Sequence, residues 1–143
     1  MICFVCGQLC SGKTLYSKTL THINDSVYVE VGDIVRQIKN TQDRSVLQNT
    51  KELHNKIVNE IVRLSEINSS KQLVVSGVRQ KEILEHFSEA TLLWIECPKS
   101  IRKQRYLDRK REGDTQSFEE AEQGDINLGI LEVRKFILER PEI

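Results

Sequence analysis

Eight residues near the start of the chain, Gly7-Gln8-Leu9-Cys10-Ser11-Gly12-Lys13-Thr14, fit the pattern G-x-x-x-x-G-K-[ST] at every required place. The two glycines let the backbone curl, so that successive N–H groups, including those of Cys10, Ser11 and Gly12, point inward at phosphate oxygens. A helix opening at the end of the curl adds its positive N-terminal dipole. Lys13 then reaches the outer phosphates as a mobile point charge, and Thr14 offers its hydroxyl to Mg²⁺. The chemistry is the binding of a nucleoside triphosphate, with ATP and Mg²⁺ as the expected ligands.

Three other groups of residues carry charge where a substrate would meet it. In Gly32-Asp33-Ile34-Val35-Arg36, Asp33 opens a helix and Arg36 follows one turn later. One reading is a helix-capping Asp and a solvated Arg. The other makes Arg36 a clamp on an acceptor phosphate, with Asp33 orienting or deprotonating the attacking group. In Ser76-Gly77-Val78-Arg79, Arg79 is again placed to bind phosphate, and Ser76 stands where an Asp commonly organises the Mg²⁺ shell. Ser76 is an uncharged and weaker metal ligand than that Asp. From Lys99 to Arg111 there are seven basic residues and one acid. Arg102, Arg105 and Arg109 share one helical face, which suits a lid neutralising the triphosphate. An exposed basic face, or a track for a DNA backbone, is the competing use of the same residues.

Short apolar runs ending in turn residues mark the elements that position these groups. Ile2 to Cys6 ends at Gly7, Val27 to Val31 at Gly32, Leu73 to Val75 at Ser76-Gly77, and Leu92 to Ile95 at Cys97-Pro98. Continuous apolar runs of this length read as strands of a parallel sheet buried on both faces. Helices are expected at Thr14 to Ile23, Lys81 to Phe87, Ser100 to Lys110 and Phe118 to Leu138. Another follows the stripe Val46, Leu47, Leu53, Ile57, Val58, Ile61, Val62 and Leu64. Phe136-Ile137-Leu138 fits either a short last strand or a helix end. Strands alternating with helices predict a three-layer α/β domain over residues 1–143, with a mostly parallel sheet of four or five strands and a lid-like basic helix at about 99–112. Ligands in such sheets lie beyond the carboxyl ends of the strands, where all three charged groups fall.

With 21 basic and 21 acidic side chains, no global field draws the chain to nucleic acid or lipid, so any basic site is local. No apolar run approaches a membrane span, and the N-terminus reads as a strand rather than a signal peptide. A cytoplasmic location, or the host cytoplasm for a viral protein, is expected. Cys3, Cys6, Cys10 and Cys97 lack a fourth ligand at zinc-like spacing and are expected as reduced thiols. His22, His54 and His86 have no partner at triad or metal spacing, Trp94 suits the sheet core, and Glu119, Glu120 and Glu122 look like a solvated helix start.

Taken in order, these segments resemble the small P-loop nucleotide kinases, including nucleoside monophosphate kinases and dephospho-coenzyme-A-kinase-like proteins. Gly7 to Thr14 is similar to their phosphate loop, Val31 to Arg36 to their acceptor-side "GD-V-R" segment, and Ser76 to Arg79 to their "DG-R" segment. Pro98 to Arg111 resembles the arginine-bearing lid helix, and Phe118 to Ile130 the segment after it. The resemblance implies a five-stranded parallel sheet, ATP and Mg²⁺. It also implies Lys13, Arg102 and Arg105 on the phosphoryl group, Arg109 near the nucleotide, and Arg36 and Arg79 on the acceptor. Ser76 in place of Asp, and Ala121 where a basic residue is common, depart from that pattern.

The expected activity is ATP-dependent transfer of the γ-phosphate to a nucleotide-type acceptor, as in a (deoxy)nucleoside monophosphate kinase. Asp33 keeps a second acceptor open: the hydroxymethyl group of a modified pyrimidine (5-hydroxymethyluracil) in DNA, the substrate of related phage enzymes. A P-loop hydrolase or switch without an acceptor, and a binding module without activity, are the readings from other classes.

Overall fold

The computed structural model describes residues 1–39, 53–109 and 115–140. Val46 and Leu47 of the predicted stripe, and the end of the basic segment from Lys110, lie outside the described residues. The elements run β1 (Ile2–Gly7), α1 (Lys13–Asn24), β2 (Val27–Glu30), α2 (Val31–Lys39), α3 (His54–Ile67), β3 (Leu73–Ser76), α4 (Lys81–Leu84), β4 (Thr91–Ile95), α5 (Lys99–Asp108), α6 (Phe118–Leu128) and α7 (Ile130–Leu138).

The described strands form one sheet in the order β2-β3-β1-β4, and every pairing is parallel. Each predicted apolar run is a strand. Alternation along β1 splits its side chains between two cores, which makes the layers. Phe4 and Cys6 face the cluster built with Val29, Val75, Ile57, Ile61 and Val133. Cys3 and Val5 face the other side with Val74 and Leu20 of α1. The cysteines at the start are thus strand residues pointing opposite ways, and burial pushes the Cys6 thiol up to about 12.

Two expectations about the helices change. Phe118 to Leu138 is two helices, because Gly129 turns left-handed at φ 119 and ends α6 with its N–H on the carbonyls of Asp125 and Ile126. Phe136 and Ile137 then pack on the main core as part of α7. The last apolar run is therefore a helix, and the described sheet has four strands rather than the implied five. Val31 likewise belongs to α2, whose Val31, Ile34 and Val35 are buried at helical spacing, so β2 ends one residue earlier, at Glu30. Among the described residues no helix is long and apolar enough to cross a membrane.

Candidate functional site

The curl after β1 forms as its residues dictate. Ser11 donates its N–H to the Gln8 carbonyl at 3.0 Å, Cys10 takes a left-handed φ of 60°, and α1 begins at Lys13. Lys13 Nζ folds back toward the Gln8 carbonyl at 3.4 Å, which keeps the ammonium over the loop. The Ser11 hydroxyl is buried with no hydrogen-bond partner. A loop with a buried hydroxyl lacking a partner and its lysine turned over it is a polar cradle of the kind that suits phosphate.

The arginines of α5 make different contacts, although the sequence puts them on one helical face. Arg102 is 3% exposed. Its guanidinium donates to the Cys97 carbonyl at 3.0 Å, the Leu9 carbonyl at 3.3 Å and Glu122 at 2.8 Å, and it lies over the Phe118 ring. As placed, it ties the Leu9 carbonyl of the loop to α5 and to Glu122. Periodicity put it on the same face as Arg105, but a helix face has two edges, and Glu122 claims one of them. Arg105 reaches the loop one residue further on. Its Nη1 donates to the Cys10 carbonyl at 3.2 Å, lies 3.5 Å from Cys97 Sγ, and sits 3.5 Å from where a Cβ on Gly12 would be. Arg109, at the end of α5, stacks on the Tyr106 ring at 4.8 Å.

Glu122 is consequently no solvated residue. It is 8% exposed, and Lys99 joins Arg102 on its carboxylate at 3.2 Å. Glu119 pairs with Lys103, and Glu120 completes a capping box with Ser117. Removing one partner of a buried, hydrogen-bonded ion pair strands the other charge. Glu122→Ala is expected to lower unfolding free energy by about 3–5 kcal/mol, read by urea denaturation; a loss under 1 kcal/mol would mean that Arg102 finds other partners.

At the ends of β2 and β3 the structure brings together a group that the sequence did not announce. Glu30 pairs in register with Ser76. The Tyr28 phenol donates to Glu30 at 2.6 Å and also lies against the hydroxyls of Thr14 and Ser76. Burial first, then the Glu30 charge, pushes the Tyr28 phenol well above its ordinary range. The phenol is therefore protonated and held as a donor. Gly77, at φ 95, leaves room for this arrangement, since a Cβ there would overlap the Glu30 carboxylate. Ser76 Oγ is buried and makes no hydrogen bond of full geometry. Thr14, Ser76 and Glu30 are thus three oxygen donors gathered around one phenol, a hard-ligand set that fits Mg²⁺. Glu30 brings the charge that Ser76 lacks. Its sequence signal was a lone acid in the otherwise apolar run Val27-Tyr28-Val29-Glu30-Val31.

Beyond the ends of β2 and β3 lies a narrow crevice lined by Val31, Gly32, Val35, Gly77, Arg79 and Gln80, among others. Arg79 is held there by the buried Asp125 of α6 at 3.0 Å. Arg36 Nη1 lies 3.1 Å from the Cβ position of Gly32, and its buried Nε has no hydrogen-bond partner. Arg79 thus lines the crevice, and Arg36 lies against Gly32, one of its lining residues. Asp33 is in the first turn of α2 rather than capping it; its side chain is 71% exposed and pairs with Arg36 at 2.8 Å. His54 and His86 pack ring to ring and approach Nε2 to Nε2 at 2.9 Å. Trp94 packs on the core edge and donates to Glu96 at 2.8 Å.

A central parallel sheet, a phosphate curl at the end of β1 and an arginine helix beside it define a P-loop nucleotide-binding domain of the small-kinase fold. The chain belongs to the AAA_18 family, described as an AAA domain, whose model matches residues 3–125. Among solved structures it is similar to a shikimate kinase from Acinetobacter baumannii in complex with shikimate. That match has 15% identity and a TM-score of 0.63, covering 95% of this chain and 76% of that one. A shikimate kinase from Aquifex aeolicus is similar at 19% identity and TM-score 0.60, covering 99% and 89%. A sugar kinase from Janibacter sp. HTCC2649 is similar at 15% identity and TM-score 0.63, covering 87% and 76%. No curated protein matches the chain at a significant level.

Proposed function

We propose that the chain is an ATP-dependent phosphotransferase that moves the γ-phosphate onto a nucleotide-type acceptor. The observation that carries this reading is the pairing of two anion sites at one edge of the sheet. The curl after β1 holds Lys13 and Arg105, and the crevice after β2 and β3 holds Arg79, with Arg36 against its lining residue Gly32. A hydrolase or switch needs the first site but has no use for the second.

In this reading the backbone of Gly7, Cys10, Ser11 and Gly12 cradles the triphosphate. Lys13 and Arg105 neutralise charge that builds on the transferring group. Thr14, Glu30 and Ser76 would hold Mg²⁺, which supplies charge neutralisation between the phosphates. Arg36 and Arg79 grip the acceptor's anionic group and set its oxygen in line, and ADP leaves. Arg102 acts one layer back, fixing the loop through the Leu9 carbonyl. Arg109, stacked on Tyr106, lies near enough in sequence to Arg105 to meet the nucleotide when bound. The structural neighbours named as shikimate and sugar kinases support phosphotransfer to a small molecule as the general class.

Radiolabelled γ-phosphate offered with a panel of nucleotides, coenzyme precursors and hydroxymethylated DNA tests this directly. Label is expected on a nucleotide acceptor. Label appearing solely as inorganic phosphate would establish the hydrolase and overturn the proposal.

Asp33 separates the two acceptor classes. A phosphate oxygen is already anionic and needs no base, whereas the hydroxymethyl group of a modified pyrimidine does. Asp33 is exposed and bonded to Arg36, which fits a residue that orients the arginine. Asp33→Asn is expected to lower kcat less than about tenfold; a loss of ~10²-fold or more is the signature of general-base catalysis and would favour the DNA acceptor.

A further inference from the structure

Tyr28 stands two residues before Glu30 in β2, so both side chains leave the strand on the same face. Its phenol donates to Glu30 Oε2 at 2.6 Å, the length expected of a hydroxyl bonded to an ionised carboxylate. The hydroxyls of Thr14, from α1, and Ser76, from β3, lie against the same phenol oxygen. Burial and the Glu30 charge push the phenol up, while Thr14 and Ser76 pull it down, as hydroxyls that donate to it do. The second oxygen of Glu30, Oε1, lies in the space left by the missing side chains of Gly77 and Gly32. One tyrosine hydroxyl therefore touches all three oxygen donors at the ends of β2 and β3.

The sense of these contacts matters to a cation. A serine or threonine hydroxyl binds a metal ion through a lone pair, so its proton needs an acceptor on another side. The phenol oxygen is that acceptor for Thr14 and Ser76. Ser76 depends on it most, since its buried Oγ makes no hydrogen bond of full geometry. A carboxylate with both oxygens loose turns about its last bond, whereas a bond to one oxygen sets the direction of the other. The phenol proton does this for Glu30. The ring is itself held from the α1 side, where the Lys18 ammonium lies 6.0 Å from its centre.

We infer that Tyr28 is the positioning residue of the cation site: its hydroxyl accepts from Thr14 and Ser76 and donates to Glu30, so that the three present lone pairs rather than protons to Mg²⁺. The inference rests on the reading of Thr14, Glu30 and Ser76 as the Mg²⁺ donors. Tyr28 touches neither phosphate nor acceptor in this role and acts only through those three oxygens. Glu30 supplies the charge and Tyr28 its direction. Loss of the hydroxyl leaves the ring, the strand and the carboxylate charge in place but frees the donors to turn. Affinity for the cation then falls, while the hold of the loop backbone on phosphate, in which Tyr28 has no part, is kept.

Metal binding tests this without any acceptor or turnover. The full chain, saturated with ADP, is titrated with Mn²⁺, which shares the oxygen preference of Mg²⁺, and the free ion is followed by electron paramagnetic resonance. Tyr28→Phe is expected to weaken Mn²⁺ binding about tenfold, the worth of one hydrogen bond to a charged group. Metal-free ADP is expected to bind this variant within about twofold of the unaltered chain. In a Glu30→Gln background the same substitution should cost less, because the phenol's partner has lost its charge; a residue that only packs would cost the same in both. A readout without any variant comes from the chain carrying ¹³C-labelled tyrosine, in which Mg²⁺ added to the ADP complex is expected to shift the Tyr28 ring signal. Unchanged Mn²⁺ affinity in Tyr28→Phe, equal losses in the two backgrounds, or an unmoved Tyr28 signal would overturn the inference, whatever the chain phosphorylates. The expected metal dependence in a chain that labels no acceptor would support the role of Tyr28 and defeat the phosphotransfer reading instead.

Discussion

Lys13→Ala is expected to reduce phosphoryl transfer by about 10³-fold or more, with the fold intact. Lys13 is the first residue of α1, so its ammonium adds to the positive end of the helix dipole at the point where the loop closes. Its ammonium makes a long hydrogen bond to the Gln8 carbonyl, at 3.4 Å. A bond of that length yields readily to a phosphate oxygen. Truncation to Ala removes the charge but leaves the cradle's backbone, which Ser11, Leu9 and Cys10 hold through their own contacts. The outcome to measure is kcat for label transfer, alongside circular dichroism to establish folding. Full activity in this variant would remove Lys13 from the phosphoryl site and with it the account of the loop.

Glu30→Gln is expected to lower kcat by about 10²-fold and to raise the Mg²⁺ concentration needed for half-maximal rate. The amide is the same shape and still accepts from the Tyr28 phenol, so thermal stability should change little. The charge is what disappears. Because Ser76 is neutral and Thr14 is neutral, Glu30 is the only negative group among the three donors that meet at Tyr28. A site that loses its single charge keeps its geometry but binds a hard cation more weakly. Ser76→Asp in the Glu30→Gln background should recover part of the lost rate, since Glu30 and Ser76 sit opposite each other in adjacent strands. A Glu30→Gln enzyme with unchanged rate and unchanged Mg²⁺ dependence would show that the carboxylate merely orders Tyr28.

Much of this molecule could be read before any coordinates, because the signals were local. A loop pattern that must bind phosphate, four apolar runs that must be strands, and glycines at their ends require nothing beyond neighbouring residues to interpret. Lys13 and Thr14 open α1 directly after the curl, and Arg36 and Arg79 follow β2 and β3, as the order of the segments requires. What failed locally was anything decided by a partner distant in the chain. Arg102 and Arg105 are one helical turn apart and chemically identical. Only the packing of α6 on α5 sets one against Glu122 and leaves the other at the loop. Glu122 looked like surface for the same reason. Gly129 split the last predicted helix because a single left-handed residue redirects the chain. Glu30 reached the site by strand register, His54 met His86 across separate elements, and Gln80 was buried by helices from both halves of the chain. The order of residues by itself determined the loop, the strands and the class of ligand, since those depend on short-range backbone geometry and hydrophobic pattern. The tertiary structure alone decided which charges pair inside the protein and which stay at the loop and the crevice, since that is settled by whichever opposite charge packing brings within reach.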